Sequence, residues 1–164
     1  MAVTASWSEW NSTDSNIATP TVANISNSNW GSTDAANLSP TTYPISAGSA
    51  SFNKQQAIKF TATGGETVSA PKLFATAGLS GDGAVSGNSD QLIYKDVGAI
   101  TFSTPSSTLL TGTSLMPNGE PGTANLTMDS GGQYTNLFLT QLSVDSATTS
   151  GASITLSFKY SVTA

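Results

Sequence analysis

The sequence predicts an all-β fold: a single antiparallel β-sandwich of the jelly-roll or immunoglobulin-like kind, with extended N-terminal segments. Three observations predict it. Across residues 153–163, Ile154, Leu156, Phe158, Tyr160 and Val162 alternate without a miss against Ser, Thr and Lys, the period of a strand with one face in a core and one in water. The apolar residues, 37% of the chain, fall in short runs punctuated by 15 Gly and 7 Pro, the spacing of strands and turns. Only 9% of residues are charged, and no segment makes a convincing helix. A lone strand cannot hold itself in place against its conformational entropy. The rest of the chain must therefore supply sheet partners and an opposing layer.

In chain order, Val3, Ala5 and Trp7 alternate with Thr4, Ser6 and Ser8 in a short first strand, a sheet edge or an arm, followed by Trp10 and a run of turn formers over residues 11–16. Val22 and Ile25 mark a second short strand within residues 19–25. Residues 27–44 then pass through Asn, Ser, Gly, Asp and Pro around Trp30, Leu38 and Tyr43 with neither a helical nor a strand period. Unstructured connections beyond about 12–15 residues are uncommon inside compact domains and are often binding segments. This one is expected to lie on a neighbouring subunit, kept extended by Pro40 and Pro44. Residues 1–52 are accordingly read as arm-like segments with short strands, and residues 53–164 as the sandwich core, within one domain overall. On that reading, removal of residues 1–19 leaves the core folded.

Ile58, Phe60 and Ala62 alternate with Lys59, Thr61 and Thr63 in a strand over residues 56–63, closed by Gly64-Gly65. Val68, Leu73 and Phe74 mark another around Pro71, whose missing N–H favours an edge or a bulge. Residues 78–89 read as a Gly-rich loop. Leu92, Tyr94 and Val97, then Ile100 and Phe102, give one or two strands; residues 109–115 and 124–128 give shorter ones. Residues 134–144 are apolar on both faces and read as a central strand. Since sequential strands usually pair, this strand and the last are expected to form an antiparallel hairpin.

Composition removes many function classes. Ten acidic residues stand against five lysines, and there is no Arg; nucleic acid, which is bound through Lys/Arg clusters, is not an expected partner. Neither a secretory leader nor an apolar membrane span is expected, the first eight residues being polar and strand-like. The absence of His and Cys excludes Ser/His/Asp and Cys/His nucleophiles, disulfides, and imidazole or thiolate metal sites. It is compatible with assembly in a reducing cytoplasm. Asp82, Asp90 and Asp96 can be imagined as a glycosidase pair or a Ca²⁺ loop, but their spacing matches neither, and turn chemistry accounts for them. Asn11, Asn24, Asn37 and Asn125 each begin an Asn-x-Ser/Thr triplet, a chance product of this composition. No enzyme and no cofactor is expected. Trp7, Trp10, Trp30, Leu38, Tyr43 and Phe52 are the candidate subunit-interface residues, as aromatic and apolar anchors. Stacking of sugars on Trp10, Trp30 or Tyr43 is the competing use.

Two stretches carry a resemblance. Residues 29–48 (Asn-Trp-Gly-Ser-Thr-Asp-Ala-Ala-Asn-Leu-Ser-Pro-Thr-Thr-Tyr-Pro-Ile-Ser-Ala-Gly), followed by Ser51-Phe52-Asn53-Lys54 and Lys59-Phe60, form the first; Leu137 to Val144 with Ile154 to Val162 form the second. Together they resemble small β-rich virion structural proteins of tailed bacteriophages. The resemblance covers about half of the chain, leaves residues 75–132 unmatched and brings no catalytic residues. It implies a non-enzymatic virion component, made in the host cytoplasm and assembled in many copies. The expected role is a capsid decoration or cement protein bridging neighbouring subunits, with a neck, tail or baseplate subunit as the runner-up. The implied partners are the major capsid protein or other virion proteins, and further copies of the chain.

Overall fold

A computed structural model describes residues 2–62, 64–81, 90–147 and 152–164. These are all-β, with no helix among the described residues. The strands are β1 (Val3–Trp10), β2 (Lys54–Ala62), β3 (Thr67–Gly81), β4 (Gln91–Asp96), β5 (Ser114–Leu115), β6 (Phe138–Ser143) and β7 (Ala152–Thr163). They form two antiparallel sheets, one of five strands in the order β1-β2-β6-β4-β5 and one of two, β3-β7.

The period-two pattern explains how the sheets meet. Ala5, Trp7 and Val3 of β1, Ile58 and Phe60 of β2, Leu92 and Tyr94 of β4 and Phe138 of β6 lie on one face of the larger sheet. They pack with Val68, Leu73 and Ala75 of β3 and with Ile154, Leu156, Phe158 and Tyr160 of β7 in one core cluster. Edge-to-face ring contacts cross the layer: Trp7 to Phe158 at 6.2 Å, and Phe60 to Tyr160 at 4.8 Å between centroids. The opposite face of the larger sheet has a smaller cluster of Trp10, Ala57 and Leu137, with Ile17, Val97 and Phe102 packed on it.

β6 is the central strand of its sheet, as the two-faced apolar run predicts. The expected hairpin between it and β7 does not form. Both edges of β6 are taken, by β2 and β4, so the chain crosses to the other layer after residue 144 and β7 pairs with β3. Pro71 sits at a bulge: the β3–β7 register shifts between Ser69 and Lys72, where Ala70 has φ 51°. Residues 78–81, expected to open a Gly-rich loop, continue β3; residues 82–89, with Asp82, lie outside the described residues. Residues 19–25 form no strand but a single bridge, Val22 to Glu9. Residues 100–102 form none.

Residues 1–52, read as arm-like segments with short strands, pack against the sandwich of their own chain. β1 pairs with β2 over its whole length, from Val3 with Ala62 to Trp10 with Gln55. Residues 27–52 fold back over the end of the inner face that β3 and β7 leave uncovered. That end is polar, because alternation from Ile58 and Trp7 puts Gln56, Lys54, Glu9 and Asn11 on the same side as the core. Lys54 is 1% exposed and its ammonium donates to Glu9 Oε1 at 2.9 Å and to the Ala35 carbonyl at 2.9 Å. Glu9 Oε2 accepts from Ser28 Oγ at 2.9 Å and Gln56 Nε2 at 3.2 Å. Thr140 Oγ1 accepts from Trp30 Nε1 and donates to Gln56 Oε1, both at 3.3 Å. The segment also closes on itself: Phe52 N donates to the Gly31 carbonyl at 3.0 Å and Ser32 N to the Tyr43 carbonyl at 3.1 Å. A buried lysine persists only when its charge is paired and its protons are used. Glu9 pairs the charge, and Ala35 and Ser28 of the covering segment complete the hydrogen bonds of the two partners.

Candidate functional site: an open strand edge

The two edges of the smaller sheet differ. Along β3, residues 117–126 cover the outer edge: Ala75 N donates to the Pro117 carbonyl at 2.7 Å, Gly119 N to the Ala75 carbonyl at 2.8 Å, Leu126 N to the Pro71 carbonyl at 3.2 Å, and Asn125 brackets Leu73 through both its amide atoms. Along β7, among the described residues, no backbone hydrogen bond joins residues 154–163 to anything but β3. β7 also has few of the features that blunt an edge strand. It has no Pro and one Lys, and at each of the three register shifts the extra residue lies in β3.

This edge borders a cleft. Ala5, Ser6 and Trp7 of β1, Asn24, Ile25 and Ser26, and Leu156, Ser157 and Phe158 of β7 line a hollow of about 470 Å³. It shares Trp7, Ile25, Ser26 and Leu156 with a second hollow of about 330 Å³ that runs on past Ser28 and Trp30 to Ile154. No lining residue is charged. Trp7 Nε1 is buried there without an acceptor. The arrangement offers a row of free backbone donors and acceptors beside an uncharged, half-apolar trough, which suits an extended β-segment.

The six interface candidates divide. Trp7 and Trp30 line the trough, half-buried. Trp10, at 1% exposure, fills the small cluster behind the sheet, its Nε1 donating to the Asn16 carbonyl at 2.9 Å. Leu38, at 3%, packs under Gly31, and Phe52 is half-buried. Tyr43 alone of the six is exposed, at 43%. The structure thus brings together Trp7 and Trp30 and adds Ile25, Ile154, Leu156 and Phe158. Alternation in β7 marked its residues as core; that the same strand would be left half-covered at an edge had no signal in the sequence, because it depends on which sheet the strand joins.

The acidic residues serve backbone. Asp90 Oδ1 accepts from Asp145 N at 2.6 Å, and Asp96 accepts from Gly98 N at 2.9 Å and Thr127 Oγ1 at 2.7 Å. Among the described residues no group of three or more acidic side chains is placed to hold a metal ion, and no helix is long and apolar enough to cross a membrane. On the surface, Glu120 joins β3 to β7 by contacting Lys72 at 3.5 Å and Lys159 at 3.0 Å. The Lys159 hydrogen bond, with help from Lys72, holds its carboxyl below the ordinary value. No protein-family model, no curated protein and no solved structure matches the chain.

Proposed function

We propose that this chain is a non-enzymatic structural protein of a tailed-bacteriophage virion, a β-sandwich that decorates or cements the capsid by accepting an extended segment of a neighbouring subunit along β7. The observation that carries this reading is the unblunted β7 edge beside an uncharged trough. Edge strands of monomers are normally protected, since they template pairing with another chain; an edge left regular, with Lys159 as its one charge, is suited to a permanent neighbour. The blocks that resemble virion proteins support it, since they coincide with the covering segment over residues 29–52, the central strand β6 and the open strand β7. The sugar-binding alternative needs a row of exposed rings, and of Trp10, Trp30 and Tyr43 only Tyr43 is exposed.

The test is a cryo-EM map of the particle that contains this chain. Density repeated over the capsid faces, with a neighbour's segment running beside β7, supports decoration. Density confined to the neck or tail moves the chain to the runner-up role, and absence from every particle overturns the virion reading.

A further inference from the structure

Lys54, Glu9 and Asn11 meet in a way that an ion pair alone does not require. β1 and β2 run antiparallel with Trp10 opposite Gln55, so one further step of the same register sets Asn11 opposite Lys54. Glu9, two residues before Asn11, shares its face. A single oxygen, Glu9 Oε1, accepts from Lys54 Nζ at 2.9 Å and from Asn11 Nδ2 at 3.2 Å. Asn11 Nδ2 is also held by Asp34 Oδ1 at 2.7 Å, whereas Asn11 Oδ1 is buried with no hydrogen-bond partner. All three residues are buried. The void against Glu9 and Lys54 measures about 10 Å³, at the lower limit for a single water. An amine, a carboxamide and a carboxylate that touches both are thus buried together.

We propose that Lys54 and Asn11 join in a self-catalysed amide cross-link, with Glu9 as the proton relay. Nζ passes a proton to Glu9 Oε1 along their hydrogen bond, and the neutral amine attacks Asn11 Cγ. The Cγ–Nζ bond forms as the carbonyl π pair moves onto Oδ1. The pair returns as the Cγ–Nδ2 bond breaks, and Glu9 delivers its proton to the departing Nδ2, which Asp34 has held. The proton that remains on Nζ leaves with ammonia as ammonium, so Glu9 ends as a carboxylate and the positive charge of Lys54 departs with the leaving group. No oxidant or cofactor is needed. Proton transfer by a positioned carboxylate is worth about 10²–10⁴ in rate, and exclusion of water protects the intermediate from hydrolysis. Asn11 needs no deprotonation to act as the electrophile. The product ties the start of the sheet to β2 and encloses residues 12–53, giving a chain with no cysteine a covalent staple. The inference does not depend on the virion reading.

The test is the intact mass of the denatured full-length protein, followed by chymotryptic peptide mapping. The expected result is a chain lighter by one ammonia, with a branched peptide joining the fragment that contains Asn11 to the one that contains Lys54. Lys54→Met keeps the full mass, and Glu9→Gln forms the link about 10²–10⁴-fold more slowly. A wild-type chain at full mass overturns the proposal, and so does an ammonia loss mapped to Asn118-Gly119, where a succinimide would form instead. A Glu9→Gln chain that links as fast as wild type removes Glu9 from the mechanism. The wild-type measurement decides the main point even if a variant fails to fold.

Discussion

Gly31 offers a direct test of whether residues 27–52 belong to the body of the fold. A Cβ placed on Gly31 would lie 2.4 Å from Leu38 Cδ2 and 2.7 Å from the Tyr43 carbonyl oxygen. The first neighbour is the end of a side chain and can turn away. The second is backbone, held where it is because Tyr43 O accepts from Ser32 N, so the segment must shift. Overpacking of this kind costs about 1–3 kcal/mol, which in a chain of this size lowers the melting temperature by about 2–12 °C. Gly122→Ala is the matched control. A Cβ there meets nothing within 4 Å and the residue is not among those with positive φ, so the same change should be neutral or stabilise by up to about 1 kcal/mol. Urea denaturation followed by tryptophan fluorescence, with the adjacent Trp30 as reporter, measures both. Adding Leu38→Ala to Gly31→Ala should cost less than the two single changes summed, since removing Cδ2 relieves one of the two contacts. If Gly31→Ala and Gly122→Ala have the same midpoint, the segment does not hold this closed conformation in the free protein, and it behaves as an arm.

Four further outcomes follow from the same geometry. Thr140→Val keeps the shape of a fully buried side chain but orphans Trp30 Nε1 and Gln56 Oε1; it should cost about 1–3 kcal/mol in urea denaturation, and an unchanged midpoint would show that these bonds do not hold the segment down. Ser26→Lys places a charge at the exposed mouth of the trough without touching the core, so it should abolish incorporation into particles while leaving the melting temperature unchanged; full incorporation argues against the trough. Glu120 should titrate below 4.5 in a carboxyl NMR titration because of Lys159 and then Lys72. The lowered folded-state value means that its contribution is present above that ordinary value and is lost as pH falls through the folded one. Lys159→Ala or high salt should move the titration back up, and no movement would deny the contact. Removal of residues 1–19 should unfold the protein rather than free a stable core, because it strips β1 from β2 and leaves buried Lys54 without Glu9; a cooperative transition retained in the truncated chain would refute this.

Much of the architecture was legible because period-two alternation is a local property. β1, β2, β4 and β7 stand where Val3–Trp7, Ile58–Ala62, Leu92–Tyr94 and Ile154–Val162 alternate, and the two-faced run around Phe138 announced the strand at the centre. Pairing was less legible. Nothing in the residues of β6 says that β2 and β4 will occupy its edges before β7 can, and that competition decides which sheet β7 joins.

The covering segment was hard to read for a related reason. Residues 27–44 lack a period because they do not build a sheet; they fill the space above one, and the pattern that would reveal this lies in the partner strands. Lys54 and Gln56 fall on the same side as Ile58 and Phe60, two polar residues continuing an apolar face toward the start of β2. A polar extension of a core face is satisfied either by water or by a covering piece of chain, and Glu9 two residues beyond Trp7 repeats it on the neighbouring strand. Two adjacent strands whose inward faces turn polar at the same end, with opposite charges that pair, demand a cover that completes their hydrogen bonds. The long Asn- and Ser-rich connection between those same strands is the nearest segment able to provide it. What distinguishes such a cover from an arm is therefore the inward charge on the strands it connects, not its own composition.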